Sequence, residues 1–286
     1  MENTNHPFIT RFNPAPTGSL HLGHAYALKV ANTLALESGG HMVLRIDNAF
    51  NPNISQTATD KVYDVLQTFG LKYTQSAVQS QRRMVSYNAI KFLRAKKLLY
   101  PSEFISSNEI NTFFQAPHDA PSQINKDTMS DLPPGSTVWR LDIRKAVQFL
   151  NCDKVTWFDY GVGMQILDVE IFPDIVVEIT YRDNESGFIS YHVNVVVEDH
   201  LDGVNLVTRG NDLLVYTPLQ VLLQEILDLR KRPNYFHHEL IKDLQGNRLA
   251  KRNDALSLDA LFDQHGPSHV YENMLPPVYI KDFIKG

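Results

Sequence analysis

The chain predicts an α/β fold in which a parallel, nucleotide-binding sheet is interrupted by an inserted subdomain, and three observations carry that expectation. A strand-like run at residues 8–11 leads through two prolines and a glycine into an Ala- and Leu-rich stretch that stops at Gly39-Gly40, and residues 41–46 are again apolar and of strand length. Strand, helix, strand at that spacing is a βαβ unit, because parallel strands need a crossover of about that length. Strong strand signals return only near residue 174, so roughly residues 101–190 separate the two halves of the sheet.

The elements follow in order. Two prolines after Arg11 forbid further ladder pairing, and Gly18 lets the backbone turn into a helix starting near His21 and running from Ala25 to Glu37. Residues 55–70 and 81–99 have helical spacing and end at Gly70 and before Pro101. The Ser-, Asn-, Pro- and Gly-rich stretch from Pro117 to Ser136 predicts a long loop. Residues 174–181 predict a strand, residues 182–187 a turn, and residues 188–197 a second strand. In that strand Val193 to Val197 is apolar enough to be buried on both faces, with Glu198 and Asp199 at its carboxyl end, where open sheets place ligands. The expected organisation is 1–100 as the first half of the nucleotide-binding domain, 101–190 as an inserted, acceptor-side subdomain, and 191–286 as the second half with a short tail.

Composition narrows the function classes. The 286 residues, 43% hydrophobic, suffice for a substantial core. The one cysteine, Cys152, excludes an internal disulfide framework and a multi-cysteine zinc site, and fits a reducing compartment. With no basic and apolar leader at the N-terminus and no long apolar run, a soluble, cytoplasmic monomer without a membrane partner is expected. A net charge of −5 gives no global field for nucleic acid, although Arg140, Arg144 and Lys145 could form a local patch.

The most informative string is Arg-Phe-Asn-Pro-Ala-Pro-Thr-Gly-Ser-Leu-His-Leu-Gly-His, residues 11–24. A turn entering a helix presents unpaired backbone N–H groups, which favour anionic phosphate. His21 and His24, three apart, lie on one face of the first turn and can both reach a polyphosphate. An H-x-G-H alone also suits an ordinary capped helix. The string resembles the R-F-A-P-S-P-T-G and HIGH motifs of glutamyl-tRNA synthetases, members of class I, and so implies their Rossmann-like nucleotide-binding sheet.

Two further clusters resemble the same family. Residues 195–214 and Thr217-Pro-Leu-Gln220 are similar to the V-V-V-D-D, G-V-T, V-x-R-G-x-D-L-L and T-P-x-Q sequence of glutamyl-tRNA synthetases and their short paralogues, the glutamyl-Q tRNA(Asp) synthetases. The resemblance implies glutamate binding by Tyr191 and Arg209, and a guanidinium fork suits a carboxylate; an Arg209–Asp212 pair is the bland alternative. Residues 246–252, Gly-Asn-Arg-Leu-Ala-Lys-Arg, occupy the place of the KMSKS loop, with Lys251 matching the catalytic lysine and Arg248 replacing the first lysine. Cations on such a loop can stabilise the charge that develops on pyrophosphate.

The resemblance therefore implies catalysis by His21, His24 and Lys251, and ATP contacts, with Mg2+, at Thr17, Gly18, Gly23, Arg248 and Lys251. It implies an amino-acid pocket of Arg11, Asn13, Ala15, Asp47, Tyr191 and Arg209. Within that pocket Asn13 and Ala15 stand where alanine and serine are usual. Asp47 stands for the glutamate that contacts the substrate amino group, and is alternatively a buried partner for Arg45 or Arg11. The zinc cysteines of the family, expected near residues 100–104, are absent, so no structural zinc is expected; Tyr235 to His238 on a strand would point its two histidines to opposite faces.

The function implied is ATP-dependent activation of glutamate or a close analogue as an aminoacyl-adenylate, then transfer to the queuosine base of tRNA(Asp), with no anticodon-binding domain. A freestanding amino-acid ligase serving a small molecule or carrier protein is the alternative, and an inactive nucleotide-binding relative a further one. Retention of His21, His24 and Lys251 argues against the last.

Overall fold

β1 (Ile9–Phe12) is buried along three of its four residues and pairs in parallel with β2 (His41–Leu44), Ile9 opposite His41 and Phe12 opposite Leu44. The computed structural model describes residues 7–48, 54–102, 105, 135–180, 187–241 and 257–279. Between β1 and β2 runs α1 (Leu22–Glu37), which buries Ala25, Leu28, Ala31, Leu34 and Ala35. Gly39 takes φ +77° after the last turn, and Gly40 then passes so close to the start of β1 that a Cβ there would lie 1.9 Å from the Phe8 carbonyl oxygen. Its N–H donates to Ala35, and the His41 N–H donates to Phe8, so the helix stop and the start of β2 are one hydrogen-bonded unit.

α2 (Gln56–Thr68), capped by the Ser55 hydroxyl, leads to β3 (Thr74–Gln75), the third parallel strand. α3 (Arg83–Ala95) follows, then β4 (Leu99–Ser102). Pro101 is tolerated in β4 because the strand lies at a sheet edge. β4 begins an antiparallel sheet with β5 (Thr137–Leu141), β8 (Ile175–Thr180) and β9 (Gly187–Ile189). Between β5 and β8 lie α4 (Ile143–Leu150), capped by Asp142, and the hairpin of β6 (Lys154–Asp159) and β7 (Gly163–Asp168). After β9 come α5 (Tyr191–Leu201), β10 (Leu206–Gly210), α6 (Thr217–Ile226), β11 (Asn234–His238) and α7 (Leu258–His265).

β10 and β11 are parallel, and β11 takes β6 as its other neighbour, also in parallel, with Tyr235 opposite Asp159. Asn205 joins this sheet to the first: its N–H donates to the Ile9 carbonyl and its side-chain oxygen accepts the Ile9 N–H at 2.7 Å. Further along, the Arg11 guanidinium donates to the Thr208 carbonyl, so β1 and β10 stay side by side toward their carboxyl ends. Strands from residues 101–190 thus fall in two sheets. One apolar core gathers α1, β1, β2 and α2 with Leu258 and Leu261 of α7; a second lies beneath α5 and α6. No helix among the described residues is long and apolar enough to cross a membrane.

The expected strand at residues 188–197 is corrected here. Only Gly187–Ile189 is strand, and from Tyr191 the chain is helical, with the Ser190 hydroxyl accepting the Val193 N–H and the Asn194 amide donating back to Ile189. Every residue from His192 to Asp199 is buried, so the helix shows no polar face and its valines imitate a buried strand. Glu198 and Asp199 belong to the last turns of α5, not to a strand end. Of the predicted loop, residues 117–134 lie outside the described residues, as do the turn residues before Gly187.

Replacing Gly40 by alanine is expected to lower stability by about 1–3 kcal/mol, because the obstacle is backbone. Gly39→Ala meets no neighbour and should cost only its positive φ, about 1 kcal/mol. Urea denaturation of the two variants tests the order.

Candidate active site

From Phe12 the chain turns through Asn13, Ala15 and the Thr17-Gly18 bend before entering α1, and these four residues are half-buried along the turn. The Asp47 N–H donates to the Pro14 carbonyl, which ties the turn to the segment after β2. His21 is the N-cap of α1. Its Nδ1 accepts the Gly23 N–H at 3.1 Å, and the His24 Nδ1 accepts the His21 N–H at 3.2 Å. Both Nδ1 atoms being acceptors, the N–H of each ring is on Nε2, a donor suited to an anion. The rings lie 4.0 Å apart between centroids. Gly23 is required by space: a Cβ there would sit 2.9 Å from the His21 ring and expel it from the cap.

The start of α7 is anchored to this turn. The Leu258 N–H donates to the Leu20 carbonyl, and the Lys61 ammonium bridges Ser19 and Asp259. Arg248, Lys251 and Arg252 lie outside the described residues.

Behind the turn is a buried ionic network. Arg45, wholly buried, donates from Nε to Asp47 at 3.0 Å and from Nη1 to Asp199 at 2.9 Å and Asp202 at 3.1 Å. Arg11 reaches both oxygens of Asp199 and the Thr208 carbonyl, so Asp199 serves two arginines at once. Asp202 also accepts from Arg82 and Ser76. Glu198 Oε2 lies 3.2 Å from Arg45 Nε, yet among the described residues neither Glu198 oxygen accepts a hydrogen bond. Burial, reinforced by Asp47 and Asp202 and opposed by Arg45, pushes the Glu198 carboxyl up to about 8. With Glu198 protonated, three arginines face three aspartates. Burial works against the Arg45 cation, but the carboxylates of Asp47, Asp199 and Asp202 outweigh it and hold the guanidinium charged.

The pairing of Asp47 with Arg45 is the bland alternative anticipated for it. Its second oxygen accepts from the Asn13 amide at 2.8 Å. Burial raises the Asp47 carboxyl despite Arg45 and Asn13.

Arg209, at the end of β10, has a different environment. Its hydrogen bonds bypass Asp212: Nε donates to His237 Nε2 at 2.9 Å, Nη1 to Gln220 at 2.6 Å and Nη2 to Thr217 at 2.8 Å. All three acceptors are uncharged. Burial and Arg209 itself depress His192 to about 3, and burial depresses His237 to about 4 despite its hydrogen bond to Asp159. A buried guanidinium hydrogen-bonded only to neutral groups is itself destabilised as a cation, and burial lowers its affinity for the proton, with Arg11 adding to the fall and Asp199 opposing it. The Tyr191 hydroxyl lies within electrostatic reach of Arg209, Arg11, Asp47 and Asp199, and burial raises it.

The structure therefore gathers Arg11, Asn13, Asp47, Tyr191 and Arg209 about the adjoining ends of β1, β2 and β10 and the start of α5, while Ala15, Thr17, Gly18, His21, Gly23 and His24 line the turn beside them. Sequence reasoning missed Arg45 as the hub, and Asp159 and His237 as partners of Arg209. Thr217 and Gln220 were visible only inside the T-P-x-Q match. Among the described residues no cluster of three histidine, cysteine or acidic side chains could hold a metal ion.

The fold is α/β, with a parallel sheet and a helix start that follows its first strand. The family profile of class I tRNA synthetases (E and Q), catalytic domain, matches residues 8–112 and 169–271, and the chain belongs to that family. It is similar to the glutamyl-Q tRNA(Asp) synthetase of Geobacter sulfurreducens, 31% identical over 258 residues that cover 89% of this chain and 78% of the relative. The glutamate–tRNA ligase of Burkholderia lata is 28% identical over 262 residues, 90% of this chain but 54% of the ligase, so the chain spans about half of that protein's length. The solved glutamate-tRNA synthetase of Elizabethkingia anophelis shares the fold, with a TM-score of 0.65 at 20% identity over 86% of this chain and 53% of that one.

Glu198 gives a pH test. A carboxyl raised from 4.5 to about 8 holds its proton in the folded state over a range where the unfolded chain has lost it, so its contribution to stability declines as pH rises through that window. His192 and His237, both depressed, act oppositely and lose their contribution as pH falls below 6.5. The difference between Glu198→Gln and the parent isolates the carboxyl. The variant should gain stability relative to the parent between about pH 5 and about pH 8, measured as urea midpoints; an equal difference at both would mean Glu198 ionises normally.

Proposed function

We propose that the protein activates glutamate with Mg·ATP as glutamyl-adenylate and transfers it to the queuosine base of tRNA(Asp). The observation that carries this reading is Arg209, a buried guanidinium whose three acceptors are all neutral, which leaves its charge to be met by a carboxylate ligand. Tyr191 flanks that carboxylate, and Asp47 faces the substrate ammonium. The α-carboxylate oxygen attacks the α-phosphorus of ATP, the bond from that phosphorus to the bridging oxygen breaks, and pyrophosphate leaves with the electron pair. His21 and His24, with donors on Nε2 at a helix start, meet the phosphates at Thr17, Gly18 and Gly23. Arg248 and Lys251 supply the cations that strengthen as charge moves onto pyrophosphate. Magnesium bound with the nucleotide would supply neutralisation of the phosphate charge. In the second half the acceptor nucleophile attacks the acyl carbon and AMP leaves.

The alternative, a freestanding ligase that passes the activated amino acid to a small molecule or carrier protein, draws support from the weakness of the expected basic patch. Lys145 is paired with Asp142 and Arg140 reaches the Asp174 carbonyl, so two of its three cations are partly engaged.

Glutamate should drive exchange of labelled pyrophosphate into ATP. Arg209→Ala is expected to raise KM for glutamate by about two orders of magnitude, the loss of a charge-assisted contact of roughly 2–4 kcal/mol, with much less effect on neutral amino acids. Equal effects on acidic and neutral substrates would place the carboxylate elsewhere.

Labelled glutamate should pass to tRNA that contains queuosine and not to tRNA that lacks it, and the transfer should weaken steeply with salt. Adenylate formation with no label on either pool would favour the freestanding ligase.

A further inference from the structure

Asp159, the last residue of β6, and His237 of β11 are buried and touch none of the groups assigned to substrate above except Arg209. They form a chain with it. The Asp159 Oδ2 accepts from His237 Nδ1, and His237 Nε2 accepts from Arg209 Nε at 2.9 Å. The other carboxylate oxygen, Oδ1, is fixed independently by the N–H groups of Gly161 at 2.7 Å and Val162 at 3.3 Å. An arginine N–H can only donate, so its bond to Nε2 requires that nitrogen to be unprotonated and the imidazole proton to reside on Nδ1. The Thr217 hydroxyl is 3.1 Å from the same Nε2 and accepts from Arg209 Nη2. A proton moved to Nε2 would set donor against donor beside the guanidinium.

We propose that Asp159 and His237 are positioning residues for the substrate carboxylate: Asp159 fixes the Nδ1-protonated tautomer of His237, and His237 Nε2 then fixes the plane and rotation of the Arg209 fork. The inference rests on the reading that Arg209 binds that carboxylate. With Nε spent on His237, and one hydrogen of each terminal nitrogen spent on Gln220 and Thr217, one N–H on Nη1 and one on Nη2 remain for a ligand. The ligand is therefore taken by the terminal nitrogens in a single orientation, and a small rotation of the guanidinium would misdirect both donors.

Asp159→Asn tests the relay by inverting it. The backbone N–H groups of Gly161 and Val162 keep the amide oxygen on their side, so the amide nitrogen falls on the histidine side and donates to Nδ1, which drives the proton to Nε2 against Arg209. His237→Gln is the second variant, since its amide oxygen can accept from Arg209 whatever residue 159 is. Imidazole 15N NMR of the whole protein reports the tautomer without activity, and pyrophosphate exchange reports KM for glutamate and for ATP. Asp159→Asn is expected to move the His237 proton to Nε2 and to raise glutamate KM about tenfold to a hundredfold, with ATP KM and kcat little changed. In the His237→Gln background, Asp159→Asn should add no further penalty. An unshifted tautomer, an unchanged glutamate KM, or a full penalty persisting in that background would overturn the relay. A parent protein with no glutamate-dependent exchange would instead sink the functional reading beneath it, while the NMR still decides whether Asp159 sets the tautomer.

Discussion

A guanidinium with no exposure to solvent must be neutralised by the protein around it, and at Arg45 that requirement binds β2, the segment after it and the carboxyl-terminal part of α5 into one body. An uncompensated buried ion costs several kcal/mol, and deleting one partner of such a pair costs about 3–5 kcal/mol. Asp199 is the joint, since it accepts from Arg11 on β1 and Arg45 after β2 simultaneously. Tyr191 begins the same helix that carries Asp199, so the ion network also sets where the Tyr191 ring stands relative to the strand ends. The surplus acid, Glu198, holds its proton near neutrality, which keeps the cluster balanced without a counter-ion from outside.

Arg209 shows the opposite treatment of the same residue type a short distance away. Arg45 has four carboxyl groups, whereas Arg209 has a neutral imidazole, an amide and a hydroxyl. Burial costs both, yet only Arg45 recovers the cost within the fold. That contrast supports the carboxylate-binding role proposed for Arg209.

The opening βαβ unit and the helices at Gln56–Thr68 and Arg83–Ala95 were legible because their apolar periodicity runs between strong breakers, Gly39-Gly40, Gly70 and Pro101. Residues 191–201 were not, since a helix buried at every position from His192 to Asp199 has no polar face there and a run of valines looks the same in either conformation. The histidines at the helix start could be placed from local spacing alone. Arg209 and Tyr191 were legible through family resemblance rather than through any physical signal. Their supports were invisible for a simple reason: Arg45 and Asp199 are 154 positions apart and His237 and Asp159 are 78 apart, and one sequence carries no information about which distant polar residues meet.

Two departures from the family's pattern, Asn13 and Asp47, prove to be partners. Aspartate is one methylene shorter than the glutamate it replaces, and its carboxylate is held by Arg45 on one oxygen and by the Asn13 amide on the other. An alanine at position 13 could not make the second bond, so the polar residue there compensates the shorter acid by fixing its second oxygen. Burial nevertheless raises Asp47, and Asp199 adds to the rise. A substrate ammonium, in the role proposed for Asp47, would oppose that rise. On the proposed reading, Arg209 and Asp47 would then take the two ends of one amino acid.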